Sequence, residues 1–395
     1  MQSTLANDGT PALPGPTPLH SAMGGTRSGR LSLNEIPSPI PSSVLREIDS
    51  VLPDLSRHPD PTCTRLVQAI ARHHGSAPDD IVVGPGRLAL ATGVALAAAA
   101  DEAESEIIYL SPTLEGISTS ARIARMSQVS VPLSDACTQD LQNIGDLASS
   151  RTGLVYLCNP NEPTGVVLER RQIERLLHQL PPTTIVLIDQ TYADFVDAQL
   201  DVDVTGLQRH HPNLIVLRSF SAADGLAGLP AGYVIAKPPL AHKIHEYMLP
   251  FTIDTIAQAA ATASLNNIWQ RELRIRNIIE QRESMHRELS TYGYRSPKSG
   301  TNFLWIPLGP ASLDFAVACR EAGIDVRLYS QRGVRVSVGR PEENQVLLRV
   351  ARDFAIDRDV LAASHHAGYG HQGTPAEGRV LHGHQPCSVG ELPAE

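Results

Sequence analysis

Lysine is almost missing from this chain. Its 395 residues hold only Lys237, Lys243 and Lys298 among 33 lysines and arginines combined, so arginine carries nearly all of the cationic chemistry. Long apolar runs are missing as well. None reaches the ~18 residues that span a bilayer, and the alanine-rich stretch 88–100 runs into Asp101-Glu-Ala-Glu104. Residues 1–30 are rich in Pro, Gly, Ser and Thr and lack the apolar core of a signal peptide. A cytoplasmic protein without a membrane partner is expected. The five cysteines, Cys63, Cys137, Cys158, Cys319 and Cys387, are odd in number and far apart, with no Cys-x-x-Cys pair, which argues against a disulfide framework and a zinc ribbon. A net charge of −9 with so little lysine argues against nucleic acid as a partner.

What is present is a large apolar fraction, 42%, enough for a sizeable core divided between a larger and a smaller domain. From residue 31 onward, apolar runs of strand length alternate with helical patterns. Strands are expected at 106–110, 128–132 and 153–158, and helices at 64–74, 87–100, 114–125 and 138–149. Such alternation implies an α/β fold, with a mostly parallel sheet covered by helices in the large domain. A long helical region over 253–289 leads to a smaller α+β C-terminal domain. Its strands fall at 301–306 and 334–338, and its helices at 313–322 and 342–354. The expected boundaries are a disordered arm over 1–30, a segment of the small domain over 31–55, the large domain over 56–255, the connecting helix and small domain over 256–362, and a disordered tail over 363–395. The tail histidines His365, His366, His371, His382 and His384 fit composition better than a metal site, so no metal is expected.

Several stretches carry polar groups in patterns that ordinary packing does not need. Asn159-Pro-Asn-Glu-Pro-Thr-Gly165 follows an apolar run. Thr183-Thr-Ile-Val-Leu-Ile-Asp-Gln-Thr-Tyr192 delivers Asp189 and Tyr192 at the C-terminal end of a buried strand, where open α/β sheets bind ligands. Arg218-Ser-Phe-Ser-Ala-Ala-Asp-Gly-Leu-Ala-Gly-Leu-Pro-Ala-Gly-Tyr233 and Gly333-Val-Arg-Val-Ser-Val-Gly339 complete the set. In order and spacing, over about 31–360, these resemble the class I/II aminotransferase family, and most closely its histidinol-phosphate aminotransferases.

The resemblance implies a homodimer with active sites at the subunit interface and a small-molecule carboxylate substrate. It further implies that Asp189 pairs with the pyridine nitrogen of pyridoxal phosphate, that Tyr192 lies beside its phenolate oxygen, and that Ser219 and Ser221 bind its phosphate. On the substrate side it implies Asn34, with Arg335 for the α-carboxylate in the two-point geometry a guanidinium suits. Arg327 matches the arginine at the far, phosphate end of the substrate. The turn ending at Gly86 leads into a helix whose N–H groups suit an anion.

Six positions depart from that pattern. Ala222 stands where the family has its Schiff-base lysine, and Pro230 where an arginine grips the phosphate. His58 replaces a tyrosine that reaches the neighbouring subunit's cofactor, Arg87-Leu88 a small polar pair, and Leu114 an aromatic ring. Glu162 replaces an asparagine that donates to the phenolate, and an ionised carboxylate has no proton to donate. Natural divergence accounts for six departures better than one introduced Lys→Ala change. The expectation is a divergent enzyme of this fold with no covalently held cofactor, acting on an amino-acid-derived carboxylate with or without a phosphate group, which leaves non-covalent pyridoxal or pyridoxamine phosphate open. Glu162, His58 and Tyr192 are the acid–base candidates, and Arg87 is a candidate replacement for the missing phosphate cation. Glu162 either faces the pocket or turns out to solvent. A conventional aminotransferase bearing an introduced change, and a non-catalytic ligand-binding homologue, are the alternatives.

Overall fold

Residues 154–158, 185–188 and 214–217 form three neighbouring strands whose side chains are buried on both faces, as parallel strands covered by helices require. The computed structural model describes residues 29–100, 104–134, 137–197, 200 and 202–367. Its strands in chain order are β1 (Gly29–Leu31), β2 (Ile81–Gly84), β3 (Glu106–Ser111), β4 (Ser127–Pro132), β5 (Thr152–Cys158), β6 (Ile185–Asp189), β7 (Leu214–Ser219), β8 (Gly232–Ile235), β9 (Phe303–Pro307), β10 (Ile324–Tyr329) and β11 (Gly333–Ser337).

A seven-stranded sheet has the order β2-β8-β7-β6-β5-β3-β4. From β4 to β7 its pairings are parallel, and β8 pairs antiparallel with both β7 and β2. Every strand of this sheet except β8 therefore points the same way, and their C-terminal ends share one edge with the start of β8. Leu90 and Val94 of the helix Arg87–Ala99 pack on one face with Leu154, Leu187 and Leu217. Leu66, Ile70, Ala257 and Ala260 cover the other face, against Val155, Ile188 and Val216.

A four-stranded sheet, β1-β10-β11-β9, packs against the helix Ile268–Thr291 and two further helices, Ser312–Glu321 and Pro341–Ala367. Its core includes Ile275, Phe303, Phe315 and Leu347, and Tyr192 and Ala222 from the other sheet's loops join the same cluster. The two sheets thus meet at the C-terminal edge of the larger one.

Several expected bounds shift for local reasons. The region 253–289 is two helices, Thr255–Asn266 and Ile268–Thr291. Asn267 leaves helical geometry (φ −116°, ψ 52°), and its amide donates to the Ala263 carbonyl at 2.7 Å, closing the first helix. The helix expected from 138 starts at Leu141 because Asp140 caps it, accepting from the Asn143 N–H at 3.1 Å. The helix expected from 114 starts at Ile117, since residues 115–116 form a turn.

At the N-terminus, Gly29 and Arg30 are not arm but strand, pairing with Ile324 and Asp325. At the other end the helix from Pro341 passes residue 354 and runs to Ala367, so the first residues of the expected tail are helical. The rest of both expected disordered segments, with His371, His382 and His384, lies outside the described residues, as do the side chains of His365 and His366. Among the described residues, no helix is long and apolar enough to cross a membrane.

Arg282 fixes the loop after β6 against the segment that leads into the strand β9. Buried on the helix Ile268–Thr291, it donates from Nη1 to the Phe195 carbonyl at 2.9 Å and to the Thr301 carbonyl at 2.8 Å. Arg282→Ala leaves both acceptors buried without a donor, so a loss of about 2–4 kcal/mol in unfolding free energy is expected. The measurement is the urea unfolding midpoint of the variant beside the wild type, and an unchanged midpoint refutes the role.

Candidate functional site

The loops that leave the C-terminal edge of the larger sheet bring the singled-out residues together. Asn159-to-Gly165 is a tight loop. The Asn159 side chain accepts from the Leu168 N–H at 2.7 Å, and the Gly165 N–H donates to the Asn161 carbonyl at 2.7 Å. Gly165 has φ +75°, and a Cβ there would fall 2.4 Å from Ser299 Oγ, so only glycine closes this loop. Its closure turns Glu162 inward, where 6% of the residue is exposed. The solvent-facing alternative for this side chain is thereby excluded.

Glu162 is held from both sheets. Oε2 pairs with Arg87 Nη2 and accepts from the Tyr192 hydroxyl at 3.2 Å; Oε1 pairs with Arg335 Nη1 and accepts from Asn34 Nδ2 at 3.3 Å. Asn34 Nδ2 also donates to the Tyr192 oxygen at 2.8 Å. Burial pushes the Glu162 carboxyl up, but the Arg87 and Arg335 guanidiniums and the hydrogen bonds outweigh it and bring it to about 2. Burial and then the Glu162 charge push Tyr192 up, so its phenol stays a neutral donor. Glu162 in this state is a weak proton acceptor and Tyr192 is not a base at neutral pH.

Arg87 opens the helix Arg87–Ala99 after the turn at Gly86, which has φ +88°. Its guanidinium lies over the Tyr192 ring at 5.5 Å and reaches Asp189 Oδ2 at 3.6 Å, with Nη1 buried and without a hydrogen bond. It therefore bridges two carboxylates, and the expected role as a phosphate cation gives way because Glu162 and Asp189 draw it inward. Asp189 is fully buried. Tyr156 donates to its Oδ2 at 2.8 Å, and the Thr191 hydroxyl and N–H donate to Oδ1 at 2.6 and 2.9 Å. Sequence reasoning did not single out Tyr156 or Thr191. Thr191 sits two residues after the aspartate, a spacing that suits an Asx turn, whereas Tyr156 reads as an ordinary strand residue.

Arg335 is central in β11, directly opposite Arg327 of β10 and Trp305 of β9. Nη2 donates to the Ser32 carbonyl at 2.6 Å, and Nε is buried with no hydrogen-bond partner. Arg327 is engaged by Glu115 through two hydrogen bonds, one of them 3.1 Å. Neither sequence nor resemblance pointed to Glu115.

The remaining positions fall around this centre. Ser219 ends β7, and its hydroxyl and that of Ser221 lie 2.9 Å apart. Ala222 is 2% exposed among apolar neighbours, in a loop fixed by Asp224, which accepts from Ser264 at 2.6 Å and Arg271 Nε at 3.0 Å. Leu114 is buried beneath the helix Arg87–Ala99, and Pro230 stands exposed beside Gly86. His58 is not part of the cluster. It is exposed, with its ring 5.1 Å from Phe251, so within one chain it contributes nothing to the acid–base centre. Lys237 caps the helix Pro238–His245 at the far end of β8, Lys243 lies within that helix, and Lys298 is exposed before β9.

Comparison with known proteins completes the assignment. The chain matches the family described as Aminotransferase class I and II over residues 30–350. It is 35% identical over 329 residues to an aromatic amino acid aminotransferase of Thermobifida fusca, covering 83% of this chain and 90% of that protein. A Mycobacterium tuberculosis protein of the same description is 36% identical over 332 residues, covering 83% and 93%. The structure of histidinol-phosphate aminotransferase from Sinorhizobium meliloti, in complex with pyridoxal-5'-phosphate, superimposes with a TM-score of 0.76 at 24% identity, covering 88% of this chain and 99% of that one. The expectation of no covalently held cofactor is corrected by these findings: the relatives are aminotransferases, and a solved structure of this fold is a pyridoxal phosphate complex. As arranged here, Arg87 lies across the space between Asp189 and Glu162, and Ala222 presents a methyl group, so these side chains do not fit that group without moving. The sheet order, the site loops and these matches agree that the chain belongs to the aminotransferase class I and II family.

Proposed function

We propose that this charged cluster is the substrate site of a divergent aminotransferase-family enzyme, and that it binds an amino-acid-derived carboxylate on Arg335. The observation that carries the reading is the guanidinium itself. It is buried at the joint of the two sheets, pairs with one protein carboxylate and keeps Nε without a partner. A planar carboxylate matches such a donor set, and burial strengthens the interaction. The divergence lies at Ala222, Glu162 and Arg87, and the binding and orientation described here belong to the chain's own side chains.

Arg327 supports a substrate without a phosphate group. Its charge is already balanced by Glu115, and a dianion there would have to displace that carboxylate. The aromatic amino acid aminotransferases of Thermobifida fusca and Mycobacterium tuberculosis make an aromatic amino acid the first class to test. A homodimer is part of the proposal, since the family often forms one. His58 and Phe251, side by side and exposed, are available to a second copy.

Three outcomes are expected. Arg335→Ala weakens binding of L-phenylalanine more than tenfold by calorimetry, and unchanged affinity removes the carboxylate role. L-Phenylalanine binds at least tenfold tighter than O-phospho-L-serine, and Glu115→Gln narrows that gap by releasing Arg327; a gap unaffected by Glu115→Gln refutes the balancing argument. The third concerns acid. A carboxyl held near 2 in the folded chain and near 4.5 outside it stabilises the fold fully above about pH 4.5, and that contribution of about 3 kcal/mol is lost as pH falls towards 2. Urea midpoints of wild type and Glu162→Gln should therefore differ most at neutral pH and converge towards pH 2.

A further inference from the structure

We propose that Glu162 is the ammonium-binding group of this charged cluster, so that the site takes an α-amino acid as an intact zwitterion, with its carboxylate on Arg335 and its ammonium on Glu162. This deepens the carboxylate reading above and rests on it.

The argument begins with charge. Two guanidiniums, Arg87 and Arg335, face two carboxylates, Glu162 and Asp189, in a space where all four groups are largely withdrawn from water. The cluster is neutral as it stands. A simple carboxylic acid entering on Arg335 adds an uncompensated negative charge beside Glu162, and like charges in a buried site repel strongly. An amino acid adds none.

Geometry makes the same selection. Arg335 and Glu162 are in direct contact, and an α-carbon holds an ammonium and a carboxylate next to each other. An amino acid can therefore enter the pair by exchanging partners: Arg335 passes from Glu162 to the ligand carboxylate, and Glu162 passes from Arg335 to the ligand ammonium. No ion pair is lost. The buried, unpartnered Nε of Arg335 is a further donor for the ligand carboxylate. Arg87, Tyr192 and Asn34 keep Glu162 in place while its other partner changes. Asparagine, which the family resemblance puts at this position, carries no charge to offer an ammonium.

Calorimetric titration of the full chain with L-phenylalanine, 3-phenylpropionate and phenethylamine separates the contributions. L-Phenylalanine should bind at least tenfold tighter than either fragment. Glu162→Gln should reduce that affinity tenfold or more while leaving 3-phenylpropionate as tight as before or tighter, and Glu162→Asp should restore part of the preference. Equal wild-type affinities for L-phenylalanine and 3-phenylpropionate overturn the proposal, as does an equal loss for both ligands in Glu162→Gln. The wild-type comparison decides even if that variant does not fold. Failure of the underlying reading is distinct: there, neither the amino acid nor the acid binds, or Arg335→Ala leaves both unaffected.

Discussion

A single carboxylate buried between two guanidiniums organises this molecule. Glu162 comes from a loop of the seven-stranded sheet and Arg87 from the helix beside it, while Arg335 comes from the middle of the four-stranded sheet. A lone ionised carboxylate at this depth would lose several kcal/mol of hydration. Two cations, a phenol and an amide offset that loss only while the two sheets stay in register with one another. The site's electrostatics and the docking of the two sheets are therefore one constraint. Removing Glu162 leaves Arg87 and Arg335 without their shared counter-charge, in a place where water does not replace the missing partner.

The same constraint explains why the cluster differs from a simple anion site. Arg87 stands at a helix N-terminus, where phosphate could also be held, yet it turns toward Glu162 and Asp189. Arg327, the neighbour of Arg335 across the strand pair, turns toward Glu115. Arg335 and Arg327, which the resemblance makes ligand-binding cations, and Arg87, the candidate replacement cation, are each paired with a protein carboxylate. The result is a balanced cluster, suited to exchanging ion pairs with a ligand that carries both charges more than to attracting a dianion.

Much of the architecture was legible in the residues. Apolar runs such as 185–188 are strands because both faces are buried, and the motifs around Asn159, Asp189 and Ser219 lie at one sheet edge, which Arg335 meets from the four-stranded sheet. What misled was local. The long helical pattern over 253–289 contains a break because the Asn267 side chain caps the preceding helix, an event that periodicity does not register. His58 stands apart from the cluster within one chain, as a position that the resemblance directs towards a neighbouring subunit would. The cofactor expectation failed for another reason: a change at one position of a loop says what that side chain lacks, while the relatives speak for the family as a whole.

The sequence by itself determined the fold family, the order of the strands along the chain and the identity of the polar groups at their ends. These depend on local periodicity and on residues close together in the chain. Only the tertiary structure decided the pairings: Glu162 with Arg87 and Arg335, Arg327 with Glu115, Asp189 with Tyr156. Those partners lie far apart in sequence. Long, flexible arginine side chains can reach several carboxylates, and the choice among them is made only when the two sheets close and exclude water from the space between them.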